Sequence, residues 1–300
     1  VKILVFGRNW CDYLQDDVYH GLKMLYGSDV ESNVNLEYLY QDYAGDLSTL
    51  YGHGFSYAKN IDPELRRVVS EQDISQKLDA SYYDLVIYLS YSRCTQQIEE
   101  VNKKLAWSRI LVCDGDDDPY IWSSQFKTFK RELLHKPTDR LFPISFALPE
   151  EKIVKSQVAK TQFMSKQTPS RGPFPAAPGG YKIRPPNGRV DTSGYKFKTE
   201  EGYYNDYQIS NYAFTFKKGG WDCKRHYEIM ANRCVPIFEG IENCPPHILT
   251  TLPKALLKEI KDHYLEVSQA NYECWQDTLF SSMKEHNTTV NLAKYIVDKG

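Results

Sequence analysis

The chain has no apolar run approaching the roughly 18 residues that a membrane-spanning helix needs, so no transmembrane segment is expected. It has no charged start followed by an apolar stretch and a small-residue cleavage site. The opening VKILVFG instead reads as a core strand. An excess of positive charge is missing too: 37 Lys and Arg against 39 Asp and Glu leave a formal net charge of −2. That balance excludes the basic footprint of a nucleic-acid binder. The seven cysteines hold no Cys-x-x-Cys pair and are odd in number, which argues against a disulfide scaffold or a structural zinc site. Reduced thiols in a cytoplasmic setting are the expectation. Without a secretion signal, the glycosylation acceptor pattern at Asn287-Thr288-Thr289 reads as a chance match. No Ser-His-Asp constellation and no metal-ligand spacing of histidines is readable.

What is present is a chain of 300 residues, enough for one large core or two medium ones. Its 41 % hydrophobic and 25 % charged residues fit a globular protein. Aromatics are plentiful, with 23 Tyr, and tyrosine suits cores and sugar or base pockets alike. The first half alternates strand and helix signals. VKILVF (1–6), VNLEYLY (34–40), YDLVIYLS (83–90) and SRILVCDG (108–115) read as strands. About 16–26, 62–80 and 95–107 read as helices. Repeated βα units of this length predict a parallel sheet with helices on both faces. The pattern breaks in a stretch at 167–189 that is dense in glycine and proline, which predicts a loop. Beyond it, 201–216 reads as a short helix leading to a strand, CVPIF (234–238) follows, and 253–286 holds two helices. The layout predicts two Rossmann-like α/β domains, 1–155 and 156–300, the second one short.

The most informative stretch is KGGWDCKRHYEIMANRCVPIF (218–238). Gly219 and Gly220 precede a helical pattern, and Asp222 is placed to cap it. A glycine-rich turn before a helix offers open backbone donors and the positive end of the helix dipole, which suits phosphate. Lys224 and Arg225 add charge, and an arginine can fork onto two phosphate oxygens. Glu228 lies about one turn further on, where a carboxylate can accept two ribose hydroxyls. The plainer alternative is a capped helix carrying a surface salt bridge. His226, alone in this helix, is expected to pack or hydrogen-bond rather than react.

This stretch resembles the nucleotide-sugar motif of two-domain (GT-B) glycosyltransferases, in particular exostosin-like and related microbial or viral members. The resemblance spans about 200–240; elsewhere only the general layout agrees. It implies that Glu228 holds the ribose of a donor nucleotide, and that Gly220, Lys224, Arg225 and the helix start meet its diphosphate. Ala231 and Val235-Pro236-Ile237 match the cleft floor. The turn that follows the helix departs from the pattern, reading Ala231-Asn232-Arg233-Cys234, where an asparagine tolerates left-handed backbone.

The resemblance also points to FGRNWCDYLQDDVYHG (6–21), after the first strand, as the acceptor-side loop where inverting members often keep a general base. Asp12 is the first choice because it lies nearest the strand end, ahead of Asp16, Asp17 and His20; Arg8 is a candidate for substrate charge. The alternative is a solvated loop with Asp16 capping a helix. VCDGDDDPYIW (112–122) sets four aspartates at a strand end, where open α/β sheets bind ligands. Asp114, Asp116 and Asp118 have the spacing of a metal-binding pair, but equally of an acceptor cleft or a solvated turn. FKTFKRELL (126–134) resembles a helix of related sequences; Lys130 and Arg131 are candidates to point into the cleft, and burial of Phe126, Phe129 and Leu133 at three/four spacing makes a solvated face for them the default. His53 is a further acceptor-side candidate.

The expected function is therefore transfer of a sugar from a nucleoside-diphosphate sugar, UDP or GDP, to a glycan or other hydroxyl acceptor. Asp12 and Arg225 are the expected catalytic residues. Gly220, Lys224, Arg225 and Glu228 are the donor contacts, with no cofactor and no metal. The alternatives are a non-catalytic glycan- or nucleotide-binding module and a metal-dependent phosphoryl or nucleotidyl transferase built on 114–118.

Overall fold

The computed structural model describes residues 1–123, 125–167 and 196–300. Two parallel sheets carry the fold. The first has six strands in the order β2-β1-β3-β4-β5-β6. They are β1 (Ile3–Phe6), β2 (Val30–Ser32), β3 (Leu85–Tyr88), β4 (Ile110–Asp114), β5 (Lys127–Lys130) and β6 (Leu141–Pro143). The second has β7 (Gln162–Met164), β8 (Ser210–Phe216) and β9 (Val235–Glu239) in sequence order. Both sheets are of the kind that builds Rossmann-like domains.

Alternation along the strands sorts the helices. Ile3, Val5, Ile87, Leu111 and Cys113 face α1 (Tyr13–Tyr26), which runs beside α8 (Thr289–Lys299). Leu4, Phe6, Val86, Tyr88 and Val112 face α2 (Glu71–Asp79) and α3 (Ile98–Lys104). In the second sheet Tyr212, Phe214, Val235 and Ile237 join the same large cluster as the first group, with α6 (Lys254–His263) and α7 (Gln269–His286). One buried apolar cluster thus runs through both sheets. α8 packs on α1, and Gly21 is what lets it: a Cβ there would run into the Thr289 carbonyl.

Several expectations need correction. The stretch 126–134 is not a helix: β5 lies between β4 and β6, and Phe126, Phe129 and Leu133, three or four apart, are all buried. Lys130 and Arg131 are buried with it instead of facing solvent. The second strand is Val30–Ser32, and the aromatic run at 34–40 turns through a short 3-10 segment, Glu37–Leu39. The helix expected over 62–80 shrinks to α2; Pro63–Leu65 is a separate 3-10 turn, and Ser70 caps α2 through Asp73 N–H. The glycine- and proline-rich stretch 167–189 lies, apart from Gln167, outside the described residues. The short helix before β8 is α4 (Glu200–Gln208), and the motif helix is α5 (Lys224–Ala231). No described helix is long and apolar enough to cross a membrane.

Candidate functional site

Parallel strands deliver their following loops to one edge. In the first sheet those loops are 7–12 after β1, 89–93 after β3, 115–118 after β4 and 131–132 after β5. The strand order reverses between β1 and β3, the place where open α/β sheets form a crevice. The second sheet contributes the loop 217–223 after β8 and the start of α5. Between them lies a cleft of about 930 Å³. Arg8, Trp10, Asp12, Arg93 and 115–118 line its first wall, and 218–220 with 222–225 its second. Trp10 and Tyr51 stand more than 60 % exposed in it, ready-made stacking surfaces.

On the first wall, ion pairs and hydrogen bonds absorb almost every charge. Asp12 caps α1 by accepting from Leu14 and Gln15 N–H, so the expected cap at Asp16 is displaced by four residues. Its other oxygen accepts from Arg93 at 2.9 Å and Ser90 Oγ at 3.1 Å. Arg93 also pairs with Asp116. Arg131 pairs with Asp117 and Glu132 and donates to the carbonyls of Gly115 and Asp222. Lys130 pairs with Asp114 at 3.0 Å, where burial raises the carboxyl above its ordinary range against the pull of that lysine. Asp118 is exposed and accepts from Tyr120 N–H. The four aspartates are thus divided among three bases, with Lys130 at 3.0 Å from Asp114 and 4.0 Å from Asp118. Among the described residues no group of three or more His, Cys, Asp or Glu side chains is placed to hold a metal.

The remaining base candidates are withdrawn from the cleft. Asp16 is buried against the Tyr38 hydroxyl at 2.7 Å, and burial holds its carboxyl well above the usual range. Asp17 accepts from Ala147 N–H and pairs with Lys224; burial raises it to about 6 although that lysine opposes the shift. His20 lies between Thr289 Oγ1, at 2.8 Å, and Glu151. Of the four, Asp12 alone lines the cleft. His53 sits in the 51–54 turn with left-handed backbone, φ 57°.

The second wall is arranged differently. Asp222 does not cap α5. Cys223 holds the cap position, and no described side chain accepts from the first-turn N–H groups there. Asp222 instead accepts from Phe146 N–H and the Tyr227 hydroxyl, both at 2.8 Å. Burial lifts it to about 7, against the nearby Arg131 charge. Lys224 is occupied by Asp17 and the Ala147 carbonyl. Gly220 packs so closely on the Arg131 and Glu132 side chains that a Cβ would run into the Glu132 carboxylate. His226 packs as expected: Thr215 Oγ1 lies 2.7 Å from Nδ1, and Nε2 lies 2.9 Å from the Trp221 carbonyl. Burial first and the Arg225 charge second push it down to about 3.

Arg225 is the exception to this general pairing. It is 8 % exposed, lies over the Phe216 ring and donates through Nε to Thr215 Oγ1 at 3.3 Å. Its Nη2 is buried without a hydrogen-bond partner among the described residues. An unsatisfied buried guanidinium N–H is costly, and here it sits in the cleft wall at the uncapped start of α5. An anion would satisfy both.

Glu228 is buried behind this wall and does not line the cleft. One carboxylate oxygen accepts from Ser56 Oγ and the other from the Tyr203 hydroxyl at 2.7 Å. Burial raises its carboxyl above the ordinary range, against those two hydrogen bonds. After α5 the left-handed residue is Arg233 (φ 53°), not Asn232 (φ −98°). Arg131, read as a cleft candidate on a helix, does line the cleft, from the loop after β5, whereas Arg93, Tyr203 and Lys218 were absent from the sequence reading of the site. Only the position of Arg93, just past a strand end, signalled it.

Set against known proteins, the chain matches no protein-family model and no curated sequence.

Proposed function

We propose that the protein is a glycosyltransferase of GT-B type that takes a nucleoside-diphosphate sugar in the cleft between its two sheets. The observation that carries this reading is Arg225 Nη2, buried in the cleft wall at the start of α5 with no hydrogen-bond partner among the described residues. In it the diphosphate lies against Arg225 and the uncapped first turn, and Lys218 adds charge at the rim. As the sugar leaves, negative charge grows on that phosphate, and fixed positive groups stabilise it without reorganising. Trp10 and Tyr51 offer faces for the base or the sugars. Asp12, on the opposite wall, is the proposed base for the acceptor hydroxyl.

A second reading has its own observation. Both oxygens of Asp12 already accept hydrogen bonds from the protein, two from backbone and two from Arg93 and Ser90. A carboxylate so occupied suits a cap better than a base, which favours a binding module without transfer. The metal-dependent alternative gains nothing from the site, where Asp114, Asp116 and Asp117 are each held by a base.

Calorimetric titration with UDP, GDP and their sugars tests the donor site. Binding is expected for one nucleotide, weakened about 10- to 150-fold in Arg225→Ala by loss of a charged hydrogen bond. Equal affinity in the two proteins, or no binding to the parent, overturns the reading. Slow acceptor-free hydrolysis of the bound nucleotide sugar separates enzyme from module: a bound sugar that is never hydrolysed or transferred supports the module.

A further inference from the structure

The stretch YGHGFSYAK (51–59) belongs to the first half of the chain but is anchored in the second. Phe55 is buried in an apolar cluster whose other buried members are Tyr203, Tyr204, Tyr207, Ala213, Ile229 and Cys234. Beside it, Ser56 is wholly buried. Its N–H donates to Glu200 Oε1 at 2.5 Å, its Oγ donates to Glu228, and the Tyr204 hydroxyl lies 2.7 Å from that Oγ. All these partners lie between 144 and 172 residues away along the chain.

The docked backbone is unusual. Gly52, His53, Gly54, Ser56 and Lys59 all have φ between 57° and 72°. Glycine adopts that region freely, but His53, Ser56 and Lys59 are side-chain-bearing residues that enter it only where surrounding contacts hold them. The loop is therefore held in place by its anchors and not by its own preference. Its first residue, Tyr51, lines the cleft, as does Tyr203, the other hydroxyl on Glu228.

We propose that residues 51–59 form a gate between cleft and Glu228, closed in this structure by Phe55 and Ser56. The two hydroxyls now on Glu228 belong to the protein itself. On the reading that the cleft takes a nucleotide sugar, on which this proposal rests, the donor's own hydroxyls compete with Ser56 for that carboxylate. Binding then frees the loop from its strained conformation. The chemistry that opens the gate is thus a vicinal diol next to a phosphate, and inorganic phosphate alone leaves it shut.

Hydrogen exchange, followed peptide by peptide, tests this in two arms. Without ligand, Ser56→Ala and the milder Ser56→Gly, which keeps the backbone region accessible, are expected to speed exchange over 51–61 by about tenfold while β1, β3 and β4 stay protected. Unchanged exchange in both variants overturns the gate. With saturating UDP or GDP, the parent is expected to gain protection over 221–226 and to lose it over 51–61. Protection at 221–226 with no change at 51–61 overturns the gate and leaves the donor site standing. No response to either nucleotide overturns the donor site, and the ligand-driven gate falls with it. Phosphate alone serves as the control; opening by phosphate overturns the role of the diol.

Discussion

The two walls of the cleft carry similar residues and use them in opposite ways. On the first wall Arg93 and Arg131 each bridge two carboxylates, and Lys130 neutralises a fifth, which is buried. On the second wall Arg225, buried like Arg131, keeps one nitrogen without a partner among the described residues. A count of bases lining the cleft would rank the walls alike. What separates them is whether a charge is already compensated from within. A compensated arginine holds loops together, and an uncompensated one is available to a ligand. Lys224 shows that the line does not follow sequence neighbourhood, since it adjoins Arg225 and is taken by Asp17.

Arg131→Ala should give the largest effect. It strands the buried Glu132 carboxylate and two carbonyls, and loss of one partner of a buried pair costs about 3–5 kcal/mol. Urea unfolding measures it; a loss below about 1 kcal/mol would put Arg131 on the same footing as an exposed pair. The second effect concerns acid. His226 has a folded pKa of about 3 against 6.5 when exposed, so the unfolded chain takes up the proton first and stability falls as pH drops from 6.5 towards 3. Relative to His226→Gln, the parent should lose about 1.4 kcal/mol per pH unit in that window. Unfolding curves at pH 7, 6 and 5 check the slope, and a flat difference would mean that the ring is not held neutral beside Arg225. Arg93→Ala should do least. Its side chain is 43 % exposed, and such pairs are worth about 0.2–1 kcal/mol. Nucleotide affinity should not change, because Arg93 is on the other wall. A fall comparable to that in Arg225→Ala would erase the distinction between the walls.

Much of the first sheet was legible because β1, β3 and β4 are apolar runs closed by polar or glycine residues, the signature of strands buried on both faces. β5 escaped because it carries Lys127, Thr128 and Lys130, and the burial of Lys130 depends on Asp114 of the neighbouring strand, which no local pattern announces. β2, β6 and β7, of three residues each, are too short to show a period. In the site, the glycine turn and the bases after it were readable because their spacing is local. The partners that decide what each residue does were not. Lys224 meets Asp17 across 207 positions and Glu228 meets Ser56 across 172. Sequence spacing therefore located the residues around α5 and left their division into occupied and open to the fold.

The packing of α8 on α1 fixes an order of events during synthesis. α1 follows the first strand, yet the side of it that carries His20 and Gly21 is covered by residues 289–299, which Gly21 admits only at close range. A ribosome that has delivered the whole first sheet has not delivered this cover. That side of α1 must wait for the late half, open to holding chaperones meanwhile. Closing a contact of such sequence separation also slows the search for the native state. The two sheets thus mature together, and a nascent chain halted before α8 is a target for quality control, not half of a working cleft.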